Sequence, residues 1–485
     1  MGEMGITQFM LLLLLSCFSL LFCTLSSSHS AEDEVAVAHF QQYLRIPTAH
    51  PNLNYKPAQE FSSHSAEDEV AVAHFQQYLR IPTAHPNPNY KPAQEFILSR
   101  AKSIGLDIQV LEFTKEKPLI LLTWTGKNPS MPSILLNSHM DSVPAEADKW
   151  VHDPFGATKD STGNIYARGA QDDKCIGMQY LEAIERLKTQ GFQPLRTVHV
   201  SYVPDEEIGG MDGSKAFVLS KEFEKLHVAF VLDEGQASPN EHYRVFYADR
   251  IPWRLIIKAT GAPGHGSKLY DNSALENLIE SMAVIDRFRS AQFDLVKSGV
   301  AEYGEVISVN PVYVKAGTPT TTGFVMNVQP SEAEAGFDIR LPPTADPQMV
   351  RKRISDEWAP AACNMTYQLI QIGPIRDIHG HPLLTVANHS NIWWVQLEKA
   401  VLVAGGKLRK PEILASTTDT RFMREKGIPS FGFSPMSNTP ILLHDHNEFL
   451  NEAEYIKGIK VYKKIIEILS SCTESVDDIA FKDEL

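Results

Sequence analysis

The stretch TVHVSYVPDEEIGG, residues 197–210, places an apolar run directly before three consecutive carboxylates and a pair of glycines. Residues 197–203 have the length and the β-branched content of a buried strand. Asp205, Glu206 and Glu207 follow where this strand ends. Because crowded buried charges are costly without a partner, the pattern indicates either an acidic turn or a site that holds a cation.

Strands and helices alternate on both sides of this stretch. A helix is predicted at about 175–190, between two of the strands. The further strand-like runs are residues 108–113, 119–124, 133–138 and 228–232. This order predicts a layered α/β catalytic domain with a largely buried sheet.

The pattern changes between residues 247 and 372. It predicts the order βαββαβ of a small ferredoxin-like unit. The predicted spans are 251–259, 273–297, 306–314, 332–339, 346–356 and 365–372. The layered pattern then resumes with a helix from about 383 to 405. We therefore predict an α/β fold in which a lid and dimerisation domain is inserted into the catalytic domain.

A tandem duplication precedes the catalytic pattern. Residues 27–61, SSHSAEDEVAVAHFQQYLRIPTAHPNLNYKPAQEF, recur as residues 62–96 with the single change of Leu53 to Pro88. Two copies are too few for a solenoid. Only the second copy continues into ILSRAKSIGLDIQVLEF, so the first copy is predicted to be surplus. We expect the helix of the second copy, residues 66–78, to pack on the catalytic core through Val70, Phe75 and Tyr78.

Both ends of the chain carry targeting patterns. Residues 9–25 form an apolar run followed by small polar residues, as in a signal peptide, and an uncleaved membrane anchor is the alternative. The last four residues, Lys482 to Leu485, read KDEL, a retrieval signal of the endoplasmic reticulum. We expect an ER-lumen protein that meets the KDEL receptor and has no stable membrane association after signal cleavage.

The predicted division of the chain follows from these patterns. It comprises a signal peptide at 1–28, the surplus copy at 29–61, the first part of the catalytic domain at 62–246, the lid at 247–372, the second part of the catalytic domain at 373–472 and a tail at 473–485. The formal net charge of -14 is spread along the chain. This charge disfavours binding to nucleic acid or to anionic lipid.

Further acids and histidines fall at or near predicted strand ends. His139-Met-Asp141 ends one strand, Asp233-Glu234 ends another, Asp172-Asp173 precedes the helix, and LLHDHNE supplies His444. The carboxyl ends of neighbouring parallel strands meet at one edge of a sheet, so these groups are expected to converge. Two histidines and several carboxylates suit Zn²⁺, with Mn²⁺ or Co²⁺ as alternatives.

The spacing leaves open which acids bind such an ion. One of the adjacent glutamates, Glu206 or Glu207, could bind the metal while the other stays free for proton transfer. The pattern His139-x-Asp141 is typical of a metal-binding histidine whose ring is held by a neighbouring carboxylate.

Between residues 66 and 470 the sequence resembles the co-catalytic zinc aminoacylase and carboxypeptidase family. The motifs that carry the resemblance occur in one order along the chain. They are LLNSHMDSVP, IYARGAQDDKC, VPDEEIGGMDG, VLDEGQASP, ATGAPGHGSK, MNVQPSEAEAGFDIRLPP, STTDTRFMREKGIPSFGFSP and LLHDHNEF.

The resemblance implies a dinuclear zinc site with two ions per subunit. By resemblance, His139, Asp172 and Glu234 hold one zinc ion. Asp172, Glu207 and His444 hold the other, so that Asp172 bridges the two. The peptide between Asp172 and Asp173 is expected to be cis. The acidic Asp173 departs from the family pattern and adds a carboxylate beside the bridging Asp172.

The resemblance also implies the remaining roles. Glu206 matches the general base, and Asp141 is the acid that supports a ligand. His265 is a lid histidine contributed to the other subunit of a homodimer, and Asn327 and Arg421 bind the substrate carboxylate. Thr420, beside Arg421, departs from the family pattern, which leads us to expect Asn there.

The implied reaction is the hydrolysis of N-acyl-L-amino acids to a carboxylate and a free L-amino acid. Two alternatives stay open from the sequence. The first is a dipeptidase or another N-deacylase of the same family. The second is a non-catalytic dimeric binding protein that uses the lid domain for assembly.

Overall fold

The computed structural model describes residues 65–473, with the side chain of Gln371 excepted. The predicted signal peptide, the first copy of the repeat and the KDEL terminus therefore lie outside the described residues. Within the described part, no helix combines the length and the apolar character that crossing a membrane requires.

The helices and strands follow one another in layered order. Helices α1 to α10 are Ala66–Leu79, Lys91–Ile104, Lys174–Thr189, Ser214–Val218, Lys221–Glu224, Ala274–Lys297, Pro347–Arg353, Ile392–Val403, Thr420–Glu425 and Glu452–Ser470. Strands β1 to β9 are Asp107–Thr114, Lys117–Trp124, Ser133–His139, Thr158–Lys159, Asn164–Tyr166, Val198–Val203, Val228–Asp233, His242–Tyr243 and Val245–Asp249. Strands β10 to β21 are Ile251–Thr260, Gly264–His265, Ser308–Ala316, Pro319–Thr320, Gly323–Phe324, Val328–Gln329, Glu332–Leu341, Met365–Ile372, Lys407–Leu408, Glu412–Leu414, Ser430–Phe433 and Phe449–Asn451.

An eight-stranded sheet has the order β1-β2-β6-β3-β7-β20-β9-β19. Its central neighbours β6, β3, β7 and β20 are parallel, so their carboxyl ends share one edge. Both faces of the sheet are covered. Along β2, Ile120 and Leu122 pack in one hydrophobic core, whereas Leu119 and Leu121 pack in another. This confirms the predicted layered α/β architecture with a buried sheet.

A second sheet of four antiparallel strands has the order β12-β16-β10-β17. With α6 and α7 it follows the order βαββαβ and has a hydrophobic core of its own. The predicted ferredoxin-like unit is therefore present. The predicted boundary at 247 falls inside β9, which belongs to the larger sheet, and the change of sheet comes at Arg250.

Helix α1 belongs to the second copy of the repeat. Ser65 begins it with a capping box, in which Ser65 and Asp68 bind each other's backbone N–H groups. Phe75 and Tyr78 are fully buried, as predicted, but Val70 is 52% exposed. Val70 lies five residues before Phe75, and at 100° per residue this places it on the opposite side of the helix.

The helix predicted from 383 to 405 is shorter than expected. It begins at Ile392, where the side chain of Asn391 accepts the backbone N–H of Trp393 as an N-terminal cap. Residues 383–391 are not helical. The apolar content of this segment resembles a helix, but Leu383 and Thr385 are buried in irregular structure instead.

Candidate metal centre

His139 is the last residue of β3 and lies at the edge where β6, β3 and β7 end. Its Nε2 lies 2.9 Å from Asp172 Oδ1 and 3.8 Å from Glu234 Oε2. All three side chains are buried, and one ligand atom from each lies within 4.8 Å of the others. We call His139, Asp172 and Glu234 the first cluster.

A second cluster shares Asp172 with the first. His444 Nε2 lies 3.2 Å from Asp172 Oδ2 and 3.0 Å from Glu207 Oε2. Asp172 therefore directs one carboxylate oxygen to each cluster. Glu207 Oε1 is buried and has no hydrogen-bond partner among residues 65–473. We call Asp172, Glu207 and His444 the second cluster.

The three acids that follow β6 have different surroundings, beginning with Asp205. Asp205 accepts the backbone N–H groups of Asp212 at 2.8 Å and Gly213 at 2.9 Å, so it closes the loop. The glycine pair makes the turn possible, because Gly209 and Gly210 have φ of 108° and 61°. A Cβ on Gly210 would also lie 2.2 Å from an oxygen of Asp419.

Glu206 and Glu207 differ in what their carboxylates contact. Glu207 contacts His444 in the second cluster. The carboxylate of Glu206 has no hydrogen-bond partner within the described chain, although Glu206 lines the same cleft as both clusters. Burial, and next the charge of Glu234, hold the pKa of Glu206 well above its usual range. The pair thus provides one carboxylate at a cluster and one free beside it.

Asp141 connects these glutamates to His139. Its carboxylate is fully buried and accepts the backbone N–H groups of Glu206 at 3.2 Å and Glu207 at 3.1 Å. His139 Nδ1 lies 3.0 Å from the backbone oxygen of Asp141 and 3.4 Å from its Oδ1, and His85 Nε2 lies 2.8 Å from Oδ2. Burial opposes ionisation of Asp141, but the hydrogen bonds from His139 and His85 outweigh it and lower its pKa. The motifs of the sequence did not indicate His85.

Glu448 is a second residue with no role in the motif analysis, although it belongs to the motif LLHDHNEF. It is fully buried and joins the loop of His444 to the loop of Asp172. Its Oε1 accepts the backbone N–H groups of Gln171 at 2.6 Å and Asp172 at 3.3 Å, and its Oε2 accepts Arg168 Nη1 at 2.8 Å. Only its position four residues after His444 could have suggested it.

The peptide between Asp172 and Asp173 is cis, as the resemblance implied. Asp173 Oδ1 accepts Ser138 Oγ at 3.0 Å and the backbone N–H of His139 at 3.2 Å. Burial, reinforced by the charge of Asp172, raises the pKa of Asp173 to about 8. Asp173 therefore supports the backbone of β3 and belongs to neither cluster.

Both clusters open into a cleft of about 980 Å³. Arg421 lines this cleft together with Glu206 and is half-buried. Its guanidinium donates to Thr418 O and to Gly209 O, each at 2.7 Å. Within the described residues it forms no ion pair, so its charge is available to an anionic group in the cleft.

His265 and Asn327 lie outside this cleft. Both are exposed; His265 on β11 pairs with Val328 on β15, and Asn327 directly precedes β15. The backbone N–H of Gly266 donates to Asn327 O at 2.7 Å. The structure therefore brings these two residues together but does not place them beside Glu206 or Arg421 of the same chain.

The two clusters fit divalent metal ions. Each offers one imidazole nitrogen and oxygens from two carboxylates, with one carboxylate common to both. Three protein ligands of this N/O type, with a position left for water or substrate, are typical of catalytic zinc. The hydrogen bonds that hold His139 and the Asp172 loop supply the outer support that metal ligands need.

Comparison with known proteins agrees with this geometry. The model of peptidase family M20/M25/M40 matches residues 135–468. Aminoacylase-1 of Homo sapiens is 40% identical over 448 residues, which cover 92% of this chain and 98% of the human protein. Aminoacylase-1 of Dictyostelium discoideum is 40% identical over 445 residues, covering 90% of this chain and 98% of that protein.

Solved structures with the same fold are more distant in sequence. An M20 family metallo-carboxypeptidase from Sulfolobus solfataricus matches with a TM-score of 0.64 and 18% identity, covering 84% of this chain and 100% of that one. A dinuclear metal-binding peptidase of the M20 family from Bacillus subtilis matches with a TM-score of 0.59 and 14% identity, covering 83% and 98%. At these identities the match establishes the fold alone.

Proposed function

Since the chain belongs to peptidase family M20/M25/M40 and is a metal-dependent hydrolase, we propose that it hydrolyses N-acyl-L-amino acids through a dinuclear zinc site and a glutamate base. Nearly full-length similarity to aminoacylase-1 supports the substrate class. The observation that carries the mechanism is the free carboxylate of Glu206 beside two clusters that share Asp172.

The proposed cofactor is two zinc ions per subunit. His139, Asp172 and Glu234 would hold one ion, and Asp172, Glu207 and His444 the other. Bound there, the ions would acidify a water molecule and polarise the amide carbonyl of the substrate.

Glu206 acts as the base in this proposal. It takes a proton from the attacking water and returns it to the leaving amide nitrogen, which departs as the amino group of the product. A positioned acid–base group of this kind typically contributes 10²- to 10⁴-fold. Asp141 holds the backbone of Glu206 while it does so.

Arg421 is proposed to bind the α-carboxylate of the amino acid. Its guanidinium is fixed by Thr418 O and Gly209 O, which leaves N–H groups free for a carboxylate. An N-acyl amino acid amide, which lacks this carboxylate, should be a poor substrate.

A homodimer formed through the lid domain is part of the proposal. The edge strand β12 exposes Val312 and Val314, and α6 exposes Ile279 at 58%. Apolar side chains on an exposed edge strand and helix fit a second copy of the same surface. Such an assembly would bring His265 and Asn327 to the cleft of the other subunit, where His265 would stabilise the tetrahedral oxyanion.

Residence in the ER lumen is proposed from the ends of the sequence alone. The apolar run at 9–25 and the terminal KDEL support it. The test is to express the chain with and without its last four residues and to measure the secreted fraction. Retention of both forms, or secretion of both, would contradict retrieval by the KDEL receptor.

The reaction is tested with a panel of substrates at measured metal content. We expect two zinc ions per chain and fast hydrolysis of N-acetyl-L-methionine. The amide N-acetyl-L-methioninamide and the dipeptide L-methionyl-L-alanine serve as controls. Faster cleavage of the dipeptide would favour the dipeptidase alternative instead.

A further inference from the structure

His85 belongs to the repeated segment, in the tetrapeptide Ala-His-Pro-Asn that follows α1. Residues 83–85 lie beside the loop after β3. Ala84 forms a parallel bridge with Ser142, the backbone N–H of His85 donates to Ser142 O at 3.0 Å, and that of Ser142 donates to Thr83 O at 3.1 Å. Because Ser142 follows Asp141, this pairing fixes His85 beside the Asp141 carboxylate.

The Asp141 carboxylate depends on its protein donors. It is 0% exposed in this structure, so a lost partner leaves a buried carboxylate oxygen with fewer donors. Oδ1 accepts the backbone N–H of Glu206, and Oδ2 accepts that of Glu207 and the ring N–H of His85. In the described part of the chain, the 2.8 Å bond from His85 is the one side-chain donation to Oδ2.

We infer that His85 is a positioning residue of the active site, acting through Asp141 on the backbone of Glu206 and Glu207 and on the ring of His139. This inference rests on the proposed function. It also gives the duplicated segment a catalytic consequence, because the second copy supplies a hydrogen bond that the site uses. The first copy carries an identical Ala-His-Pro-Asn at His50, which lies outside the described residues.

The duplication provides a matched control for the test. His85→Leu fills a similar space with an apolar side chain and removes the hydrogen-bond donor. His85→Gln can place an amide N–H near the position of Nε2. His85→Asn carries the same amide on a shorter side chain that does not reach Asp141. His50→Leu makes the first substitution in the same local sequence at the other copy.

We expect His85→Leu and His85→Asn to lower kcat for N-acetyl-L-methionine by about 10- to 100-fold, the usual range for losing a group that supports metal ligands. KM should change little, because His85 does not line the cleft. Two metal ions per chain should remain, and the visible absorption of the cobalt-substituted protein should shift as His139 loses its orientation. His85→Gln should recover most of the activity and the wild-type absorption, and His50→Leu should behave as wild type.

Equal losses in His85→Gln and His85→Leu would overturn the inference, because packing and not the donor would then matter. A loss in His50→Leu as large as in His85→Leu would also overturn it, as would full activity in all variants. If His85→Leu fails to fold, the comparison of Gln with Asn decides the same question. The cobalt absorption tests the inference even if the wild-type protein hydrolyses no N-acyl amino acid, a result that would reject only the proposed function.

Discussion

Replacing Phe75 with alanine tests which copy of the duplicated segment the fold uses. Phe75 is fully buried, and its ring stacks on Tyr455 of α10 with centroids 4.4 Å apart. A buried Phe→Ala substitution costs about 3–5 kcal/mol. For a chain of this size that cost should lower the melting temperature by about 5 °C or more.

The first copy supplies the control, since Phe40 stands in the identical sequence AVAHFQQ. If the first copy is surplus, Phe40→Ala should change the free energy of unfolding by less than about 0.5 kcal/mol, as at an exposed site. Thermal unfolding followed by circular dichroism measures both variants under one condition. Equal destabilisation by the two substitutions would refute the reasoning, and so would a marked loss of melting temperature on deleting residues 27–61.

If the proposed homodimer shares its sites, mixing inactive His265→Ala protein with inactive Glu206→Gln protein should restore part of the activity, because one cleft of the hybrid dimer would hold both groups. No recovery after verified subunit exchange would count against a shared site. Glu448→Gln should lower metal occupancy mainly at the second cluster, since Glu448 joins the loops of its ligands; elemental analysis showing two zinc ions per chain in the purified variant would contradict this. Burial lowers the pKa of His199 to about 4, so the fold favours its neutral form. The contribution of His199 to the free energy of unfolding should be fully present above about pH 6.5 and should fall by up to about 3 kcal/mol toward pH 4. The free energies measured by urea unfolding at pH 5 and pH 7 should therefore differ less for His199→Gln than for the unsubstituted protein.

The central sheet could be predicted because its inner strands, such as β3 and β6, are buried on both faces. A strand such as β7 begins with the continuous apolar run VAFVL, and the groups at its carboxyl end converge with those of the neighbouring strands for reasons of topology. The same reasoning overextended the helix at 383–405, because Leu383 is as apolar as a helical core residue. The N-terminal cap at Asn391 marks the true start, and a short polar residue of that kind also occurs in loops.

The supporting residues of the site could not be predicted from patterns. His85 reaches Asp141 across 56 positions, and Glu448 reaches the backbone of Asp172 across 276. Neither contact leaves a local spacing in the sequence, since each depends on how distant loops pack. The positions of His265 and Asn327 relative to the site could not be predicted either, because this structure holds both residues outside the cleft of their own chain.

The most direct test of the account compares Glu206→Gln with Glu207→Gln by measuring zinc content and the turnover of N-acetyl-L-methionine on the same samples. Glu206→Gln should keep two zinc ions per chain and lose at least about 100-fold in kcat, because it removes only the proton acceptor. Glu207→Gln should lose zinc as well as activity, because its carboxylate belongs to the second cluster. Loss of zinc from Glu206→Gln together with full zinc content in Glu207→Gln would contradict the account and exchange the two roles.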